Sequence, residues 1–196
     1  MTDTIMHTLI RRSRAPLALT AAAVALMSCK GDSITDPAGE AEVISRVTLT
    51  LTPPSGAAVS AYIDDPDGNG PTAPSAQVGT LSLPAGTTFT GAVRFENRTV
   101  TPVENITDEV KTEANDHRVF YTVSGTGVTV TTTDLDGSGR PLGVTFTAGA
   151  ATGTAAGART IRVLLCHYDG GVAKTAAATS CTAETDIDVT FTAAVP

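Results

Sequence analysis

Alternation of apolar and polar residues with a period of two is the feature that most constrains the fold of this chain. Val47, Leu49 and Leu51 alternate with threonines, and residues 187–191 repeat the pattern near the carboxyl terminus. Further alternating runs begin at Phe89, Val119, Val128, Val144 and Ile161. A period of two places successive side chains on opposite faces of a strand. Many such runs, separated by Gly- and Pro-rich turns, predict a mainly all-β fold, an antiparallel β-sandwich.

The chain also repeats itself. Ser-Gly followed by an Asp-rich turn occurs at residues 55–70 and again, with a constant offset, at residues 124–139. We therefore predict two related four-strand units and a last strand at 185–194. One apolar sheet face needs another to cover it, so the units are expected to form one domain over residues 43–196. A short connecting helix is predicted near 105–116, where Ile106, Val110 and Ala114 recur at spacing four.

The first 28 residues have the parts of a bacterial lipoprotein signal peptide. A basic segment precedes an apolar run, and Leu26-Met27-Ser28-Cys29 reads as a lipobox. Cys29 is then the lipidated first residue of the mature protein, and residues 29–42 form a flexible tether. Lys30 after the cysteine favours the outer membrane of the cell envelope, with the periplasmic or surface face left open. An ordinary secretory signal with an incidental cysteine is the alternative.

Charge and cysteine content narrow the possible partners. The net charge of −7 gives no basic surface for nucleic acid, so membrane contact is expected through the N-terminal lipid. In an oxidising compartment the two cysteines that remain, Cys166 and Cys181, predict a disulfide across a hairpin. Free buried thiols are the alternative.

Two Asp-rich turns resemble the start of a calcium-binding loop. Asp65, Asp67 and Asn69 match its first three ligand positions, and Asp134 and Asp136 match it less completely. Neither turn has the glutamate expected at the twelfth position. The alternative is that Asp, Asn and Gly simply supply the hydrogen bonds and backbone freedom of hairpin turns.

A second candidate site combines histidines with carboxylates. Glu113 and His117, four residues apart on the predicted helix, would share one face. His167 has the parity of a core-facing residue at the end of its strand, and Glu184 and Asp186 begin the last strand. Together these five side chains could bind zinc or another transition ion. The alternative is a helix-capping His117 and a rim His167. Zinc and calcium are thus the candidate cofactors.

Catalysis has little support in the sequence. No G-x-S-x-G elbow or phosphate-binding glycine loop is present, and the paired acids at residues 64 and 65 are adjacent rather than opposed. We assign no catalytic residue and expect a protein that is not an enzyme.

Several motifs resemble a family of small bacterial envelope lipoproteins. The resemblance rests on residues 104–110, 113–121, 134–136, 141–143 and 184–189, and it extends over about residues 47–191. This uncharacterised family is catalogued under a "type 1 periplasmic binding fold superfamily" label. Proteins of that type are large two-lobed α/β molecules, whereas this chain is small and strand-rich. The resemblance implies an envelope lipoprotein and supplies no catalytic residue.

Taken together, the residues predict a lipid-anchored envelope protein that binds rather than catalyses. The first hypothesis is an accessory that captures a ligand, such as a metal ion, for an envelope transporter. The alternative is a structural or adhesive surface module whose Asp-rich turns are plain turns or are stabilised by calcium.

Overall fold

The alternating runs form strands. A computed structural model describes residues 42–68, 70–169 and 171–196. In chain order the elements are β1 (Arg46–Thr52), β2 (Val59–Asp64), β3 (Val78–Gly79), β4 (Leu81–Ser82), β5 (Thr88–Glu96), α1 (Ile106–Thr112), β6 (His117–Ser124), β7 (Val128–Thr132), β8 (Thr145–Ala150), β9 (Gly157–His167) and β10 (Glu184–Val195). No helix within these ranges has the length and hydropathy of a membrane span. The predicted signal peptide, Cys29 and residues 30–41 of the tether lie outside the described residues.

Two sheets build the predicted sandwich. Sheet A has the strand order β3-β2-β1-β5-β8-β7, and sheet B has the order β4-β10-β9-β6. Neighbouring strands in the described chain are antiparallel, apart from the parallel pair of β4 and β10. The alternation explains the core, because the inward positions of both sheets are apolar and fully buried; they include Val47, Leu49, Leu51, Phe95, Phe146, Ile161, Leu165 and Phe191.

The two predicted halves share a pairing pattern, although each supplies strands to both sheets. The first strand of each half pairs with the last one, as β1 with β5 and β6 with β9. The second strand also pairs with the third, as β2 with β3 and β7 with β8. In the first half the third strand is split into β3 and β4, which lie in different sheets. The halves therefore complete one another's sheets within one domain.

The connecting helix is shorter than the sequence predicts. Helix α1 ends at Thr112, with Glu113 as its C-cap, and residues 114–116 form a turn. Val110 and Ile106 are buried and attach the helix to the core, as their spacing predicts. His117 is the first residue of β6 and is not in the helix. The prediction that Glu113 and His117 share a helix face is therefore wrong.

The predicted disulfide is present at one end of the sandwich. Cys166 near the end of β9 is bonded to Cys181, which precedes β10. It closes the long loop of the β9–β10 hairpin, as the sequence predicts. At this same end β6 begins, β9 ends and β10 begins, so the two histidines meet here.

Candidate metal centre

Strand pairing in sheet B brings the two histidines together. His117 and His167 are direct cross-strand partners in the antiparallel pair of β6 and β9. Each has the parity of the inward-facing residues of its strand, Val119 in β6 and Leu165 in β9, so both rings point into the sandwich. The rings stack with centroids 4.3 Å apart, and at most 1% of either residue is exposed.

A β-bulge turns Asp186 toward the histidines. Thr185 pairs with Cys166 and Ile187 pairs with Leu165, so the strand register skips Asp186. Strict alternation from the buried Ile187 would point Asp186 outward. A bulge inserts one residue into a strand and re-aims the side chains beside it. Asp186 is consequently 1% exposed, whereas Asp188, two residues later, is exposed on the outer face.

Glu42 completes the arrangement from the start of the described chain. Its side chain is only 6% exposed, although the sequence assigns residue 42 to the flexible tether. One of its carboxylate oxygens lies 2.8 Å from His117 Nε2, and the other lies 3.7 Å from His167 Nδ1. Asp186 likewise directs one oxygen to each of these nitrogens, both at 3.7 Å. We call Glu42, His117, His167 and Asp186 the inner cluster.

These distances suit a shared ion. Zinc lies about 2.0–2.1 Å from nitrogen or oxygen ligands, so two ligands of a tetrahedral site are about 3.3 Å apart. The four nitrogen-to-oxygen distances of the inner cluster, from 2.8 to 3.7 Å, bracket that value. Glu113 lies beside the cluster, since its carboxylate and ligand atoms of Glu42, His117 and His167 all lie within 4.8 Å of one another.

The hydrogen bond of His117 Nδ1 leaves the lone pair of Nε2 facing other acceptors. His117 Nδ1 lies 3.2 Å from the backbone carbonyl of Glu113, and a carbonyl only accepts, so Nδ1 carries the proton. In the neutral ring Nε2 is then a bare acceptor beside the carboxylate of Glu42. A backbone carbonyl that orients the other ring nitrogen is a usual feature of histidine metal ligands.

The other acceptors of the inner cluster are also without donors. His117 Nε2, His167 Nδ1, Glu42 Oε2 and both carboxylate oxygens of Asp186 are buried and make no hydrogen bond among the described residues. Buried polar atoms in folded proteins nearly always have a partner, and an unpaired one costs about 1–3 kcal/mol. Several converging acceptors require a cation, either protons or a metal ion.

The electrostatics of the cluster show the same need for positive charge. Burial raises the pKa of the Asp186 carboxyl to about 9, and the adjacent charge of Glu42 adds to the shift. Burial also raises the pKa of Glu42, but contact with His117, a backbone hydrogen bond and contact with Asp186 together outweigh burial, and the net shift is downward. Burial lowers the pKa of His117, but contacts with Glu42 and Glu113 together raise it more, so the net shift is upward.

Four of the five predicted transition-metal ligands therefore lie at one place. His117, His167 and Asp186 belong to the inner cluster, and Glu113 lies beside it. Glu184 is exposed at the start of β10 and does not reach the cluster. Sequence reasoning missed Glu42. Its parity with the fully buried Ile44 was the one signal that could have found it.

The second Asp-rich turn is a hydrogen-bonded turn. The carboxylate of Asp134 accepts the backbone N–H groups of residues 143, 144 and 145. Asp136 accepts backbone N–H groups from Ser138 and Arg140, and it contacts the side chains of Arg140 and Lys174 at 2.9 and 3.0 Å. Both carboxylates are thus occupied by donors, which corrects the prediction that this turn presents them to calcium.

The first Asp-rich turn is less completely paired. Asp65 is 4% exposed, and its Oδ1 makes no hydrogen bond to a residue that the structure describes. Burial and the nearby Asp67 raise its pKa. Asp67 is exposed and accepts the backbone N–H of Thr72. Asn69, the third predicted ligand, lies outside the described residues.

No family model, curated protein or solved structure matches this chain.

Proposed function

We propose that this domain binds one divalent transition-metal ion through Glu42, His117, His167 and Asp186. The observation that carries the proposal is the convergence of buried atoms from all four residues that have no hydrogen-bond partner in the part of the chain that the structure describes. A proton shared between His117 and Glu42 would satisfy that contact alone. One metal ion satisfies the acceptors of all four side chains at once, and its double charge offsets two carboxylates.

The donor atoms favour zinc or a similar ion. Two imidazole nitrogens with two carboxylate oxygens are typical ligands of zinc, and imidazole also suits copper, iron and nickel. Calcium prefers six to eight oxygen ligands, which this cluster does not provide. No thiolate of the described residues takes part, because Cys166 and Cys181 are joined in the disulfide.

The lipobox predicts where in the cell the domain would bind metal. We propose that Cys29 anchors the protein in the cell envelope and that the domain captures metal there for an envelope transporter.

The experiment is a calorimetric titration of zinc into purified, chelator-treated protein. We expect one ion per chain, and His117→Ala combined with His167→Ala should weaken binding by at least about 100-fold. Asp188→Asn is the matched control, because it removes a carboxylate of the same strand outside the cluster. Absence of zinc binding in the unaltered protein, or unchanged affinity in the double histidine variant, would refute the proposal.

A second candidate function is a surface module whose first Asp-rich turn is stabilised by calcium. The unpaired, buried Oδ1 of Asp65 next to Asp67 favours it. Calcium should then raise the melting temperature, and the increase should disappear in Asp67→Ala. A melting temperature that is independent of calcium in the unaltered protein would exclude this function.

A further inference from the structure

An open pocket of about 290 Å³ borders the inner cluster. Glu42 and Asp186 line it together with two other acids, Asp67 and Glu184, and none of its described lining residues is basic. Six water molecules at about 30 Å³ each occupy roughly 180 Å³. The pocket therefore has room for a divalent ion with its first shell of water.

Two residues of its inner wall carry buried acceptors. Both carboxylate oxygens of Asp186 and Oε2 of Glu42 make no hydrogen bond within the described part of the chain, and Asp186 is 1% exposed. The two residues that carry these buried atoms belong to the inner cluster and also line the pocket. A cation in the pocket consequently lies beside two of the residues that would bind it.

Two exposed carboxylates form the outer part of the pocket, Asp67 after β2 and Glu184 at the start of β10. The backbone N–H of Thr72 holds the carboxylate of Asp67 at 2.9 Å. A Cβ atom at position 70 would lie 2.5 Å from that carboxylate, so Gly70 leaves the space that it occupies. Glu184 is close enough for its charge to act on Asp186.

We propose that this acidic pocket is the route by which a hydrated divalent transition-metal ion reaches the inner cluster, with Asp67 and Glu184 accelerating its capture. This inference rests on the proposed metal binding. A cleft lined by charges of one sign raises the association rate of an opposite charge by about 10- to 1,000-fold, and the gain falls with ionic strength. Asp67 and Glu184 thus set the capture rate without coordinating the bound ion.

The test is stopped-flow binding of cobalt(II) to chelator-treated protein carrying Asp67→Asn and Glu184→Gln. At about 0.01 M ionic strength, where the Debye length is about 30 Å, we expect the association rate to fall at least about 10-fold. At about 1 M, where it is about 3 Å, the difference should shrink to within about twofold. Dissociation should stay within about twofold, because outer charges act mainly on association.

The matched control is Glu104→Gln with Asp108→Asn, which removes two exposed charges that do not line the pocket. An association rate equal to that of this control at low ionic strength would overturn the access route. Faster dissociation by about 10-fold or more, or an altered cobalt absorption spectrum, would overturn it too, because Asp67 or Glu184 would then be a ligand. Failure of the unaltered protein to bind cobalt would instead refute the proposed function itself.

Discussion

Replacing Asp136 by Asn tests whether the second Asp-rich turn is held by buried ion pairs. The side chains of Asp136 and Lys174 are both 0% exposed, and Lys174 Nζ also donates to the carbonyl of Ala114. In Asp136→Asn the amide oxygen can still accept the backbone N–H groups of Ser138 and Arg140. The amide nitrogen then faces Lys174 and Arg140, so donors oppose donors and a buried ammonium loses its counter-charge.

We expect Asp136→Asn to lower the free energy of unfolding by a large amount. Removing one partner of a buried ion pair costs about 3–5 kcal/mol, because the remaining charge stays buried without compensation. At about 2–4 °C per kcal/mol for a domain of this size, the melting temperature should fall by roughly 6–20 °C. Urea unfolding followed by far-ultraviolet circular dichroism measures the loss directly, and the chain has no tryptophan to serve as a fluorescent reporter.

The dependence of stability on acid pH measures the contribution of Asp136 independently. Burial raises the pKa of Asp136, but its hydrogen bonds and contacts with Arg140 and Lys174 outweigh burial and hold the pKa far below the usual range. A carboxyl with a lowered folded-state pKa stabilises the fold above its unfolded-state pKa of about 3.9, and the contribution is lost as pH falls below that value. The difference between wild type and Asp136→Asn should therefore shrink below about pH 4.

Two results would refute this reasoning. One is a loss below about 1 kcal/mol, which is typical of an exposed pair. The other is a loss that depends on added calcium, which would make Asp136 a metal ligand. Lys174→Met in the Asp136→Asn background is the control, and we expect it to restore part of the stability because it removes the uncompensated charge.

Three further predictions concern the metal site, the disulfide and the lipid anchor. Asp186→Asn should leave chelator-treated protein as stable as wild type or more stable, because the new amide can donate to Glu42. The same variant should abolish the rise in melting temperature with zinc. Retention of that rise would contradict the assignment of Asp186 as a ligand. Cys166→Ala with Cys181→Ala should lower the free energy of unfolding, measured in urea, by about 3 kcal/mol, because it opens a loop of about 15 residues. An unchanged free energy of unfolding would show that the disulfide does not stabilise the fold. Cys29→Ala should release the protein from the membrane fraction, and continued lipid labelling of that variant would exclude the lipobox.

The strands could be predicted because their signal is local. Residues 47–51 carry their period of two in the sequence itself, and burial of one face follows from it. The helix was predicted too long because Ala114 continued the apolar spacing. His117 instead begins strand β6, because it pairs with His167 of β9 across the sheet. Such a pairing links positions far apart in the chain, and local spacing does not reveal it.

The candidate site was predicted in part for a similar reason. The inward orientation of His167 could be predicted from the parity of its strand, which is a local feature of the sequence. The inward direction of Asp186 depends on a bulge opposite β9, and the alternation of β10 alone predicts the opposite face. Glu42 lies in a polar segment before β1, where parity with Ile44 is its only sequence signal, and its tertiary contact with His117 places it in the cluster. Sequence reasoning thus named Asp186 without revealing the bulge that turns it inward, and it missed Glu42, whose place in the cluster depends on a tertiary contact.

Anomalous diffraction from zinc-soaked crystals of the chelator-treated protein shows whether the inner cluster binds the ion. We expect one strong peak at the zinc absorption edge, about 2.0–2.1 Å from His117 Nε2 and His167 Nδ1, with oxygens of Glu42 and Asp186 at about 2.0–2.2 Å. An inner cluster with no peak, or zinc bound only to exposed carboxylates elsewhere, would contradict it.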